Sequence, residues 1–115
     1  MTFEQGAIVE PAAVAAYAIQ RSGMKMGDSV LITGAGPIGL LTVQVAVATG
    51  ASHIFVSDLS ENRLKKAKEV GAPHTFDARD KDIPNQIKEI TGQGVDVFID
   101  AAGAQASFDT GINSL

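Results

Sequence analysis

Residues 29–39 read Ser29-Val30-Leu31-Ile32-Thr33-Gly34-Ala35-Gly36-Pro37-Ile38-Gly39. A short apolar run rich in β-branched residues ends in a G-x-G-x-x-G loop, and Pro37 stands where a helix favours proline, in its first turn. The pattern is that of a buried strand, a tight turn and a helix opening directly from it. Each glycine has its own reason to be there. Gly34 permits the turn, Gly36 leaves room for a pyrophosphate against the backbone, and Gly39 lets the helix lie close on the strand. The free N–H groups and the positive end of the helix dipole then face an anion.

Outward from this segment, strand-like and helix-like patterns alternate. His53-Ile54-Phe55-Val56, running on to Asp58, and Val95-Asp96-Val97-Phe98-Ile99 read as buried strands, and His74-Thr75-Phe76 as a weaker one. Such runs without polar alternation suit a parallel sheet covered on both faces. Helices are expected from Ile38 to Thr49 with Gly50 as C-cap, and from Glu61 to Val70 with Ser60 as N-cap and Leu64, Ala67 and Gly71 on one face. Two more follow: one from an Asp82 cap through Thr91, with Ile83, Ile87 and Ile90 inward, and one from about Ala104, with Phe108, Ile112 and Leu115 on one side. Ahead of the first strand, Pro11 is read as opening a helix that runs to about Arg21 and Gly23. The order α-β-α-β-α-β-α-β-α implies right-handed crossovers and a doubly wound parallel sheet. The fold class is therefore α/β, a Rossmann-type sheet of about four strands. Residues 1–27 form a helix leading into it, and 28–115 form the cofactor domain. A complete dinucleotide fold has two βαβαβ halves, so the chain is expected to be a fragment, incomplete at its C-terminus, with an open sheet edge where a fifth strand would pair.

Asp58 closes the second strand about 20 residues past Gly39, where such folds carry the acid that accepts hydrogen bonds from the adenosine ribose. The same carboxylate repels a 2′-phosphate, which favours NAD(H) over NADP(H). Arg63 lies where it stacks over the adenine or neutralises a 2′-phosphate, and with Asp58 present the adenine role is preferred. A Walker loop requires Gly-Lys-Ser/Thr, but Gly39 is followed by Leu40-Leu41, so that reading fails. A methyl-donor-binding domain, which also combines a glycine-rich first turn with an acid after strand two, stays open as an alternative.

Composition sets further bounds. With 115 residues, 45% hydrophobic and 19% charged, the chain has the material for one core. At this size roughly two-thirds of the unfolded chain's surface is buried on folding. The formal charge of −4, with no basic run longer than Lys65-Lys66, argues against a nucleic-acid footprint. Ile38 to Ala48 is too short and too interrupted to span a bilayer, and the residues after Met1 show no signal-peptide pattern. No cysteine is present, which removes disulfides, thiolate nucleophiles and cysteine-ligated zinc from these residues. His53 and His74 have no acid partner at a catalytic spacing and are assigned to structure or surface. Asp77, Arg79, Asp80, Lys81 and Asp82 read as a solvated mixed-charge turn. Asp96 and Asp100 flank a strand, with Asp100 at its ligand-facing end.

Several of these stretches together resemble the zinc-dependent medium-chain dehydrogenases. They are Glu10-Pro11, Gly27-Asp28-Ser29, the loop from Gly34 to Leu40, Asp58-Leu59-Ser60, Arg63-Leu64 with Ala67-Lys68, and Val95 to Asp100 followed by Ala102-Gly103. Within that family the sequence looks most like the sorbitol and 2,3-butanediol dehydrogenase branch. The resemblance implies oxidation of a secondary alcohol or polyol to a ketone, with hydride passing to NAD and zinc polarising the alcohol oxygen. It also implies a cytoplasmic, homo-oligomeric parent enzyme whose main zinc ligands lie in another domain, so that these 115 residues by themselves are inactive. Carried over by position, Gly34, Gly36, Pro37, Ile38 and Gly39 match the pyrophosphate loop. Asp58 matches the ribose acid, Arg63 the adenine-side residue, and Ala102 and Gly103 the close approach beside the cofactor. Glu10 matches a zinc-proximal glutamate. Ala101 stands where the family often has Cys or Thr, so no polar side-chain role is assigned there. Two further readings stand beside this one. The first is a stand-alone nucleotide-binding or regulatory module. The second is a zinc-free, quinone-reductase-like member, against which Glu10-Pro11 and the Gly-Pro-Ile-Gly form of the loop argue.

Overall fold

The structure is a computed structural model. It describes the backbone of residues 3–115 and side chains from residue 12 onward. Nine elements follow one another: α1 (Phe3–Ser22), β1 (Ser29–Thr33), α2 (Pro37–Thr49), β2 (His53–Asp58), α3 (Glu61–Glu69), β3 (His74–Asp77), α4 (Ile83–Thr91), β4 (Val97–Asp100) and α5 (Gln105–Ser114). The four strands form one parallel sheet in the order β3-β2-β1-β4.

That order follows from the sequence pattern. All five residues of β1 are buried, so the strand must be central. Alternate side chains enter opposite cores, as the strand period of two requires. Val30 and Ile32 join Val43, Ala46, Ile54, Val56 and Ala67 on the face covered by α1, α2 and α3. Leu31 and Phe55 join Ile83, Ile87 and Val95 on the face covered by α4 and α5. Leu31, Phe55, Ile83 and Ile87 are fully buried, and burial of such a side chain contributes about 1.5–3 kcal/mol. The chain moves outward from β1 to β2 and β3, then crosses back through α4 to place β4 on the other side of β1. The direction of winding therefore reverses between β1 and β4, the switch point at which such sheets carry a crevice at the carboxyl ends of their strands.

The helix signals act largely as their chemistry predicts. Gly50 and Gly92 cap α2 and α4 in the left-handed conformation, at φ 90° and 86°. The Arg63 N–H donates to Ser60 Oγ at the start of α3 (3.3 Å).

Five expectations are corrected. The helix α1 starts at Phe3, not Pro11, because Glu4, Gln5, Ala7 and Ile8 are fair to good helix formers that carry it through a proline the sequence pattern reads as a start. The fourth strand starts at Val97 rather than Val95. There Asp96 bonds to the start of β1: Ser29 N–H donates to Asp96 Oδ2 at 2.9 Å, and Asp96 N–H donates back to the Ser29 carbonyl. Asp82 holds the N-cap position of α4, yet its carboxylate caps no backbone group and accepts from Asn85 Nδ2 instead. Ile90 is exposed near the end of α4, since only Ile83 and Ile87 reach the sheet. The fifth correction is the largest. Phe108, Ile112 and Leu115 on α5 are 47%, 48% and 50% exposed, and the helix meets the sheet through Gly111 and Ser114. A Cβ at Gly111 would lie 2.1 Å from the Phe98 ring, so only glycine lets α5 come this close.

Candidate functional site

The loops at the carboxyl ends of the strands enclose a cleft of about 960 Å³. Its floor is the glycine loop. Gly34 has φ 97°, and a Cβ there would stand 2.9 Å from the backbone of Ala101 and Ala102, so the loops after β1 and β4 touch. At Gly39 a Cβ would sit 1.9 Å from the Gly34 carbonyl oxygen, which is the close passage of helix over strand. At Gly36 nothing lies within 4 Å of the added position. The backbone there faces open space, and Gly36 is also the N-cap of α2 with no side-chain cap. Pro37 has no N–H, so Ile38 and Gly39 are left as the first-turn donors that helix geometry does not satisfy. They make an anion-binding mouth with the positive helix end behind it.

Asp58 ends β2 at the edge of this mouth and is 8% exposed. Its carboxylate is fixed from two sides. Ala35 N–H donates to Oδ2 at 2.8 Å and Ser60 N–H to Oδ1 at 2.7 Å. The first bond ties β2 to the glycine loop; the second turns the chain into α3. Each oxygen keeps a lone pair for an outside donor. Arg63, mostly exposed, holds its guanidinium 3.9 Å from Asp58 Oδ2.

Gly34, Gly36, Asp58, Arg63 and Ala102 line the cleft. Gly39 is buried beneath the loop, and Pro37, Ile38 and Gly103 stand outside the lining. Glu10 lies in the stretch of α1 whose side chains are outside the described residues. The sequence reading did not assign Ser57, Ala78, Arg79, Lys81 and Ser107 to the cleft, yet they line it as well. Arg79 and Lys81 follow β3 at the same end of the sheet as Asp58, and their position after a strand end was the available signal. Arg79 is paired with Asp77, with Nη2 2.9 Å from Oδ2. The hydrogen bonds from Arg79 pull the Asp77 carboxyl down to about 2. His53 and His74 lie at the opposite end of the sheet, ring centroids 6.1 Å apart, far from this chemistry. Burial, and secondarily the charge of His53, lower the His74 pKa.

Asp100 does not point into the cleft. Its Oδ1 accepts from Thr33 Oγ1 at 2.9 Å and from the N–H groups of Ala102 and Gly103 at 3.0 and 3.1 Å. Desolvation raises its pKa, but the bonds from Gly103, Thr33 and Ala102 outweigh this and hold the carboxyl below its ordinary value. Among the described residues no three His, Cys, Asp or Glu side chains gather as a metal-binding group. No described helix is long and apolar enough to cross a membrane.

A glycine loop opening a helix at a topological switch point, with a fixed carboxylate after the second strand, is the ligand end of a dinucleotide-type fold. Residues 37–115 match the zinc-binding dehydrogenase family, and the chain belongs to that family. Sorbitol dehydrogenase of Rattus norvegicus is 45% identical over 115 residues, 97% of this chain and 32% of that protein. (R,R)-butanediol dehydrogenase of Bacillus subtilis is 41% identical over 114 residues, 99% of this chain and 33% of the relative. The crystal structure of 2R,3R-butanediol dehydrogenase from Bacillus subtilis superposes with a TM-score of 0.88 at 42% identity, again over 99% of this chain and 33% of the other. The chain thus spans about a third of the length of the relatives it matches.

Proposed function

We propose that these residues are the NAD(H)-binding domain of a zinc-dependent alcohol or polyol dehydrogenase, with 1–27 as the lead-in helix and 28–115 as the cofactor domain. The observation that carries this is the cleft: the open backbone at Gly36, where α2 begins, and the fixed Asp58 carboxylate line the same space. These features suit the parts of a dinucleotide in order. The pyrophosphate lies on the N–H groups of Ile38 and Gly39, with Gly34 and Gly36 allowing its approach. The adenosine ribose hydroxyls donate to Asp58, and Arg63 covers the adenine. Ala102 and Gly103, small and exposed, leave room beside β4 for the nicotinamide end.

When bound, NAD supplies the hydride acceptor for conversion of a secondary alcohol to a ketone. The chain's own residues bind and orient it. Zinc belongs to the parent enzyme in this proposal, with Glu10 near it on family resemblance; the described residues form no zinc site, and no step on this chain runs through the metal. A small alcohol or polyol substrate, a cytoplasmic location and homo-oligomeric assembly are inferences from the family, and support for them comes from the likeness to sorbitol and butanediol dehydrogenases.

Titration of NADH fluorescence tests the proposal, and the chain has no tryptophan to interfere. NADH is expected to bind at least about tenfold more tightly than NADPH, because Asp58 repels a 2′-phosphate. Equal binding of the two would refute the role given to Asp58, and binding of neither would refute the cofactor reading. Oxidation of sorbitol or butanediol by these 115 residues with added zinc is expected to stay at background.

A further inference from the structure

The winding order places a strand on either side of β1, and each of these strands ends in an aspartate. Asp58 ends β2 and Asp100 ends β4. Asp58 lines the cleft, whereas Asp100 does not, although its neighbours Ala101, Ala102, Ala104 and Ser107 do. The Asp100 carboxylate is solvent-exposed but bonds to the end of β1 and to its own loop. In the sheet it pairs in register with Thr33, the last residue of β1, and it accepts the hydroxyl of that fully buried threonine. The same oxygen gathers the N–H groups of Ala102 and Gly103. Ser107 Oγ stands 3.3 Å away, but its single proton has the nearer Ala104 carbonyl at 2.7 Å. Above Asp100, Ala101 N–H donates to the Thr33 carbonyl at 2.7 Å. Thr33 is therefore joined to the loop after β4 by both backbone and side chain, and the next residue, Gly34, has no room for a Cβ against that loop.

We propose that Asp100 is a positioning residue of the cofactor cleft: it pins the Ala101–Gly103 loop to the end of β1 and so fixes the wall facing the glycine loop. This rests on the cofactor reading above and deepens it. Charge-assisted hydrogen bonds are stronger than neutral ones, and here two of them come from the loop's own N–H groups. Gly103 needs the bond in particular. At φ 73° it sits in the left-handed region, where a loop without a partner has other conformations open to it. Because the ribose acid Asp58 lies on the β2 side and the pinned wall on the β4 side, Asp100 governs the nicotinamide-bearing half of the cofactor and leaves the adenosine half alone.

The experiment compares the 115-residue chain with Asp100→Ala, Asp100→Asn and Asp58→Ala, using NADH and AMP as probes in calorimetric titrations and amide exchange by NMR. Asp100→Ala is expected to weaken NADH roughly tenfold while AMP stays within about twofold. Asp100→Asn keeps an acceptor at Oδ1 and is expected to restore NADH to within about threefold of wild type. Asp58→Ala is expected to weaken both probes. In Asp100→Ala the amides of Ala102 and Gly103 exchange faster while Ile32 stays protected. Equal weakening of AMP and NADH by Asp100→Ala would mean a general loss of structure and overturn the proposal. Wild-type exchange at Ala102 and Gly103 would overturn it whatever the cofactor results. A wild-type chain that binds neither probe defeats the cofactor reading separately, and the exchange rates still decide whether Asp100 pins the wall.

Discussion

Gly39→Ala places a methyl group where the structure has a carbonyl. Its Cβ would stand 1.9 Å from the Gly34 oxygen, against a floor of 3.0 Å for real contacts, so α2 and the loop must separate by about 1.1 Å. The obstruction is backbone and has no rotamer to yield. Gly34 cannot retreat either, because it already lies against Ala101 and Ala102. Forcing extra volume into such a site costs about 1–3 kcal/mol, more where the backbone is boxed in. Alanine returns up to about 1 kcal/mol through its better helix propensity. The expected net loss is about 1–2 kcal/mol, a fall in melting temperature of roughly 4–10 °C for a domain of this size. Thermal unfolding followed by circular dichroism reads it directly. A Gly39→Ala variant that melts at or above wild type would show that α2 has room to spare over the strand, and the steric role of the third glycine would be refuted.

Gly36→Ala makes the complementary case: φ is −72° and the added methyl meets nothing within 4 Å, so stability should stay within about 0.5 kcal/mol while NADH affinity drops. Chemical denaturation and NADH titration on the same sample separate the two effects. Arg79→Ala should let the Asp77 carboxyl rise from about 2 toward its ordinary 3.8, measured by carboxyl carbon shifts against pH. Because the folded pKa is depressed, this pair favours the folded state above pH 3.8, and the benefit fades as pH falls toward 2. His74 carries the opposite protonation logic. Its folded pKa lies below 6.5, so the unfolded chain binds the extra proton, and the contribution of His74 to stability should fall as pH drops through 6.5. Urea midpoints at pH 7.5 and 5 should differ less in His74→Gln than in wild type; equal differences would remove His74 as a source of the pH dependence.

The sheet was readable because its strands carry continuous apolar runs and its helices carry end signals such as Gly50, Ser60 and Gly92. Those are local facts, and local facts survive translation into sequence patterns. The glycine loop was readable for a related reason: each glycine answers one steric demand made within a few residues. The misreading of α5 shows the limit. Gly111 is buried where Phe98 leaves room for nothing larger, and Ser114 is buried beside it on the helix; a hydrophobic pattern gives such small residues no weight. Asp100 shows another limit. From its position at a strand end it was read as approaching a ligand, and only three-dimensional distances reveal that Thr33, Ala102 and Gly103 have already claimed its oxygen. Arg79 and Lys81 join the cleft because the strand order sets β3 beside β2, whose end carries Asp58.

The edge position of β4 has a consequence for how the chain behaves at high concentration. Among the described residues Val97–Asp100 pairs with β1 on one side only, and Phe108 and Ile112 stand half-exposed on the helix that follows it. Unpaired strand groups next to apolar side chains are a template for adding another strand. Loss of these 115 residues from solution should therefore be steep in protein concentration and set by contact between folded molecules, with the melting temperature a poor guide to shelf life.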